Sequence, residues 1–160
     1  MDPLMGIGNR RALISRLDDL KKKKADRYSV RLMILDIDDF KIINDNYGHI
    51  CGDEVLICLG EIIKEKTINQ KIEAYRYGGE EIVLLFLNMK KEDAVSVAED
   101  IRETFQKTTY SFDARVCITL SGGIAEMNPA MSSEEMIDAA DARLYLAKKS
   151  GKNRILSDIK

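Results

Sequence analysis

Two apolar segments, Ile72 to Tyr77 and Ile82 to Leu87, flank the pair Gly78-Gly79. Strand-like runs on either side of a glycine pair predict a β-hairpin, because a type I′ turn needs positive φ at both central positions and glycine adopts it freely. That feature excludes an all-helical chain and a purely parallel sheet. The neighbouring patterns add helices. Leu13, Ile14, Leu17 and Leu20 recur at helical spacing and predict an amphipathic helix over roughly 9–25. Lys21 to Lys24 at its end read as a solvated, dipole-favoured terminus, with a phosphate or membrane contact as the alternative. Val30 to Leu35 is nearly all apolar and predicts a central strand buried on both faces.

Val55, Leu56, Leu59, Ile62 and Ile63 predict a helix over about 52–66, and Ala94, Val97, Ala98, Ile101 and Phe105 predict another. Val116, Ile118 and Leu120 alternate with Cys117, Thr119 and Ser121, which predicts a two-faced strand. Ser132-Ser133-Glu134-Glu135 offers a capping box before a helix bearing Ile137, Ala140, Leu144 and Ala147, and Gly151 sits where a helix-ending glycine belongs. Ile155 and Leu156 predict a short last strand. The order of helix, strand, helices, hairpin, helix, strand, helix, strand predicts an α/β (α+β) chain with one partly antiparallel sheet flanked by helices. No linker, repeat or low-complexity stretch divides it, so residues 1–160 are expected to form one domain.

Composition narrows the function. The 160 residues are 45% hydrophobic and 32% charged with a net charge of -2, which lacks the basic excess of a nucleic-acid binder. No apolar run reaches membrane length and no signal-peptide pattern opens the chain, so a cytoplasmic domain without membrane contact is expected. Cys51, Cys58 and Cys117 lack metal-ligand spacing, and His49 is the sole histidine, so these thiols are expected to be reduced and packed.

The chemistry-bearing residues cluster at the predicted strand ends. Asp36 closes the apolar strand, where an unpartnered charge is costly to bury, and a carboxylate there suits a divalent metal. Asp38 reads as a solvated turn residue and Asp39 as the N-cap of a helix starting near Phe40. Glu80 and Glu81 form a second acidic pair, either a polar hairpin tip or the completion of a metal site beside Asp36. Gly78 and Gly79 would let backbone approach a phosphate or ribose. His49 reads equally as a turn cap, Lys148 and Lys149 as complements of a helix C-terminus, and Asn44 as an exposed polar residue.

Arg76-Tyr77-Gly78-Gly79-Glu80-Glu81-Ile82 resembles the GGDEF/GGEEF signature of diguanylate cyclases. The similarity runs nearly end to end. Asp2-Pro3-Leu4-Met5-Gly6-Ile7-Gly8-Asn9-Arg10-Arg11 is similar to the family's D-x-L-T-G-L-x-N-R-R. Asp36-Ile37-Asp38-Asp39-Phe40-Lys41 with Asn44-Asp45 resembles D-x-D-x-F-K-x-x-N-D, and Gly48-His49 with Gly52-Asp53 resembles G-H-x-x-G-D. Ser121 to Ala125 resembles S-x-G-I-A, and Ala140-Asp141 through Ala147-Lys148 and Gly151-Lys152-Asn153 resemble A-D-x-A-L-Y-x-A-K-x-x-G-R-N.

The resemblance implies a five-stranded mixed sheet of nucleotidyl-cyclase or polymerase-palm type, carrying a GGEE hairpin. It implies condensation of two GTP into cyclic dimeric GMP and pyrophosphate. Asp36 and Glu80 would ligate Mg²⁺, or Mn²⁺, through their carboxylates, and Ile37 through its carbonyl. Glu80 would also accept the proton of the attacking 3′-hydroxyl, with Glu81 a second catalytic carboxylate. Lys41 would stabilise charge on the transferred phosphoryl group. Asn44 and Asp53 would read guanine with His49 nearby, Phe40 would pack beneath, and Lys148 and Lys152 would contact the triphosphate. Two domains would meet transiently as an antiparallel homodimer, and an upstream sensory or dimerising region is expected. A weak or inactive GTP-sensing domain is the main alternative; another nucleotidyl transferase and a non-catalytic interaction domain are further ones.

The chain departs from the family at several points. The R-x-x-D product-inhibition site is replaced by Asn69-Gln70-Lys71-Ile72, so tight feedback inhibition there is not expected. Lys152 replaces an arginine and loses bidentate phosphate geometry. Met5 stands for threonine, and Ile82 for phenylalanine as a packing exchange on the strand.

Overall fold

The computed structural model describes residues 1–22, 29–128 and 130–157. Its elements run α1 (Arg10–Lys22), β1 (Val30–Ile37), α2 (Phe40–Tyr47), α3 (His49–Thr67), β2 (Ile72–Arg76), β3 (Glu81–Leu87), α4 (Lys91–Gln106), β4 (Leu120–Glu126), α5 (Ser133–Lys149) and β5 (Ile155–Leu156). One five-stranded sheet has the order β2-β3-β1-β4-β5. β1 pairs antiparallel with both β3 and β4, β2 pairs antiparallel with β3, and β4 pairs parallel with β5. The sheet is therefore mixed, as the sequence implied.

The apolar run of β1 is explained by burial on both faces. Leu32 and Ile34 pack with Leu13, Leu17, Val83, Leu85, Met136, Ala140 and Leu144 on the α1/α5 side. Met33, Leu35 and Ile37 pack with Leu59, Ile63, Leu84, Phe86, Ala98, Ile101 and Phe105 on the α2–α4 side. The period-2 alternation of a strand assigns each residue to its face. Ile82 is fully buried among the second set, which makes the phenylalanine exchange a packing change. Met5 lies in the same core, 2% exposed, with its backbone against Gly60 of α3.

Several expectations need correction. Gly78 and Gly79 do not have positive φ, so the hairpin turn is not type I′. Residues 77–80 instead form a four-residue connection, in which the Tyr77 and Gly78 amides both donate to the Glu81 carbonyl, at 2.8 and 3.2 Å. The strand expected over 116–121 begins at Leu120 and runs on through Gly122-Gly123. Gly123 is required by close packing, since a Cβ there would overlap the backbone of Ala140 and Leu144 in α5. α3 starts three residues before the sequence boundary, at His49. The capping box of α5 is present as expected, with Ser132 Oγ accepting from the Glu135 amide. Gly151 follows the helix with φ of 127°. The tail of the first predicted helix, with Lys23 and Lys24, lies outside the described residues. The three cysteines are unpaired, but Cys117 is exposed rather than packed.

Candidate active site

β1 delivers Asp36 to the mouth of the sheet, directly between Glu81 on β3 and Ser121 on β4. Asp36 Oδ1 is buried and has no hydrogen-bond partner, while Oδ2 lies 3.4 Å from Lys148 Nζ in the last turn of α5. Burial pushes the Asp36 carboxyl up to about 6; Lys148 pulls it back, and Glu80 and Glu81 push the same way as burial. Burial also raises Glu81, reinforced by Asp141 and Glu80 and opposed by Arg10 and Lys148. The acidic residues of strand and hairpin thus share one electrostatic neighbourhood.

The hairpin tip that carries Glu80 is pinned from outside. Arg76 Nε and Nη2 both donate to the Gly79 carbonyl, at 3.0 and 2.8 Å. Its Nη1 reaches Asp2 Oδ1 at 3.1 Å, and Asp2 Oδ2 accepts the Met5 amide at 2.8 Å. Arg10 lies over the Tyr77 ring, 4.4 Å from its centroid. Gly8 adds a bridge to the outer edge of β2, where a side chain would overlap the Tyr75 ring. The opening motif of the chain therefore braces the hairpin.

Asp39 is not the side-chain cap that the sequence suggested. It adopts a left-handed conformation with φ of 56°, makes no capping bond, and its carboxylate accepts from Lys152 Nζ at 2.6 Å. Its side chain therefore leaves the first-turn amides of α2 uncovered, an arrangement suited to an anion. Lys41 extends from this exposed first turn. Asp38 is not a solvated turn residue either: it is 4% exposed and fully bonded.

The second half of the site sits where α2 meets α3. Phe40 is nearly buried, and Asn44 lies one turn further along α2. Asn44 Oδ1 is buried and unpartnered, packed against Gly52 of α3, with the Phe40 ring beside it. His49 and Asp53 are exposed on α3 on either side of Gly52. The structure thus groups Asp36, Glu80, Glu81 and Lys148 in one cluster and Phe40, Asn44 and Gly52 in another, with Lys41 on the helix that joins them. Lys152 lies beside Asp39, adjacent to the first cluster.

Sequence reasoning missed the bracing role of Asp2 and Arg76 and the burial of Asp38. The polar alternation of Thr119 and Ser121 was the available signal, since two hydroxyls entering a packed sheet need an acceptor.

The donor set fits a magnesium-like ion. Among the described residues, no three carboxylate, histidine or cysteine side chains converge to enclose an ion alone. Mg²⁺ does not require this, because it keeps waters and commonly uses one or two carboxylates plus substrate phosphate. The unpartnered Asp36 Oδ1 is the oxygen that such an ion would satisfy.

The family described as "Diguanylate cyclase, GGDEF domain" matches residues 1–154. The chain belongs to this family. It is 36% identical over 97% of its length to diguanylate cyclase VdcA of Vibrio cholerae, covering 46% of that protein. It is likewise 36% identical, over 96% of its length, to diguanylate cyclase DgcP of Pseudomonas aeruginosa, covering 23% of it. The chain thus spans less than half the length of these relatives. The GGDEF domain of DgcB from Caulobacter crescentus, solved in complex with c-di-GMP, superposes with a TM-score of 0.89 at 32% identity, covering 97% of this chain and 93% of that one. No helix among the described residues is long and apolar enough to cross a membrane.

Proposed function

We propose that this chain condenses two GTP into cyclic dimeric GMP, releasing two pyrophosphates. The observation that carries the reading is the cluster of Asp36 with Glu80 and Glu81, faced by Lys148, at the end of the central strand. Asp36, Glu80 and the Ile37 carbonyl would hold a divalent cation, Mg²⁺ or Mn²⁺, which when bound neutralises phosphate charge and acidifies the ribose hydroxyl.

The chain's own groups supply positioning and proton transfer. Glu80 accepts the proton as the 3′-hydroxyl of one GTP bonds to the α-phosphorus of the other. The bond from that phosphorus to the bridging oxygen breaks, and pyrophosphate leaves. A second, symmetric transfer closes the ring. Lys41 stabilises the transferred phosphoryl group, and the uncovered start of α2, with Lys148 and Lys152, receives the remaining phosphates. Gly78 and Gly79 allow close approach of the nucleotide. Asp53 and Asn44 accept from the N1–H and amino group of guanine, with His49 at the rim. Adenine would present an acceptor at N1 to the Asp53 acceptor and is disfavoured. One domain holds one GTP, so turnover needs an antiparallel encounter of two.

The test is chromatography of nucleotides after incubating the protein with Mg²⁺ and GTP, or ATP, over a wide range of protein concentration. Cyclic dimeric GMP from GTP alone, rising more than proportionally with protein, is the expected result. GTP binding with no product at any concentration would replace this reading with that of a GTP-sensing domain.

A further inference from the structure

The Asp38 carboxylate has no part in the proposed chemistry, yet it is surrounded by four donors. Oδ1 accepts from Ser121 Oγ at 2.7 Å and faces Lys148 Nζ at 3.3 Å. Oδ2 accepts from Thr119 Oγ1 at 2.7 Å and from the Asn153 amide at 3.0 Å. Its own amide donates to the Thr119 carbonyl at 2.8 Å. One buried side chain therefore ties the end of β1 to β4, to the last turn of α5 and to the loop that follows.

That loop needs the tie. Gly151, Lys152 and Asn153 have successive φ values of 127°, 63° and 48°, and two of them are not glycine. Such a conformation persists only where its surroundings impose it. Asn153 is gripped at both ends, its amide by Asp38 and its Oδ1 by Arg102 Nη1 at 2.9 Å. Lys152 stands between Gly151 and this anchor and points to Asp39. Lys148 is shared by Asp36 and Asp38. When Asp36 engages another cation, Asp38 remains to hold the ammonium in place.

We propose that Asp38 is a positioning residue that holds Lys148 and the 151–153 loop in register for a nucleoside triphosphate. This rests on the reading that Lys148 and Lys152 receive the phosphates. The bonding pattern explains why a carboxylate is needed. The two hydroxyl donors can rotate and become acceptors, but an amide N–H and an ammonium cannot. An asparagine at position 38 has one oxygen, so it satisfies Lys148 or Asn153 and sets its NH₂ against the other.

The experiment is calorimetric binding of an α,β-methylene GTP analogue and of GMP, in Mg²⁺. Wild type is expected to prefer the analogue. Asp38→Asn should weaken analogue binding about tenfold, as for a lost charge-assisted contact, and leave GMP within about twofold. Thr119→Val, which keeps both Lys148 and Asn153 in place, should barely move the ratio. Equal weakening of both ligands, or of neither, in Asp38→Asn would overturn the proposal. A wild type that does not prefer the analogue would overturn the triphosphate reading and this inference with it. Should Asp38→Asn fail to fold, amide exchange in the wild type decides: a protected Asn153 N–H supports the anchor, and rapid exchange refutes it.

Discussion

Asp36 and Lys148 face each other at 3.4 Å across the mouth of the sheet, and the ammonium engages one carboxylate oxygen while the other stays buried without a partner. The pair is incompletely compensated. Burial outweighs the attraction of Lys148, so the carboxyl rises from 3.8 to about 6. A group held this way costs the fold stability in exchange for a site that accepts a cation.

Asp36→Asn should therefore stabilise the metal-free protein. Between the two pKa values the native state holds more protons than the unfolded one, so stability falls as pH rises from about 4 to 6. The cost is fully present above pH 6 and absent below about 4. The shift corresponds to about 3 kcal/mol at 1.36 kcal/mol per pH unit, and roughly 1–2 kcal/mol after allowance for solvent screening. Thermal melts in EDTA should show the variant above wild type at pH 7.5 and level with it near pH 4. A variant less stable than wild type at pH 7.5 would show that Lys148 dominates the balance.

Glu80→Gln isolates proton acceptance from architecture. The tip is fixed through backbone groups, by Arg76 on the Gly79 carbonyl and by the Glu81 carbonyl, and not through the Glu80 side chain. The melting temperature should stay within a few degrees of wild type. Turnover should fall by about 10²–10⁴. Normal activity would remove Glu80 from its assigned role.

The sheet and most helices were legible because their signals are local. β1 shows a nearly continuous apolar run, broken by Arg31 before Asp36, and α5 shows a capping box and a helical stripe. The turn at Gly78-Gly79 was misread because a glycine pair suggests positive φ, whereas the loop is closed by Arg76 and the Glu81 carbonyl. The extension of β4 past Ser121 was missed because glycines weaken a strand signal, while here Gly123 admits the backbone of α5. Asp38 left no local trace. Its partners Thr119, Ser121 and Asn153 lie 81, 83 and 115 residues away and meet it only in the folded chain.

Gly52→Ala should separate base recognition from stability. Gly52 is buried in α3, where alanine is intrinsically favoured by roughly 1 kcal/mol. Its Cβ, however, would overlap Asn44 Oδ1 and press on the Phe40 ring. The expected result is GMP binding weakened about tenfold with little change in melting temperature. In parallel, Asp53→Ser should lower the preference for GTP over ATP. An unchanged GTP/ATP ratio would remove Asp53 from base selection.

Feedback by product should be weak at the position where other GGDEF domains carry arginine and aspartate. Asn69 stands at a turn with φ of 62° and offers no charge to a phosphate. Ile72, where the aspartate would be, starts β2 and packs partly buried against the core. Loss of a charge-assisted contact weakens binding by about 1.5–3 kcal/mol, or roughly ten- to hundredfold. Titration calorimetry with c-di-GMP, compared with a GGDEF domain that has both residues, should show at least that deficit. Initial rates should stay level as product is added, until product competes for the nucleotide site itself. Inhibition that saturates without raising the KM for GTP would point to a separate product site built from other residues, and would end the argument from Asn69 and Ile72.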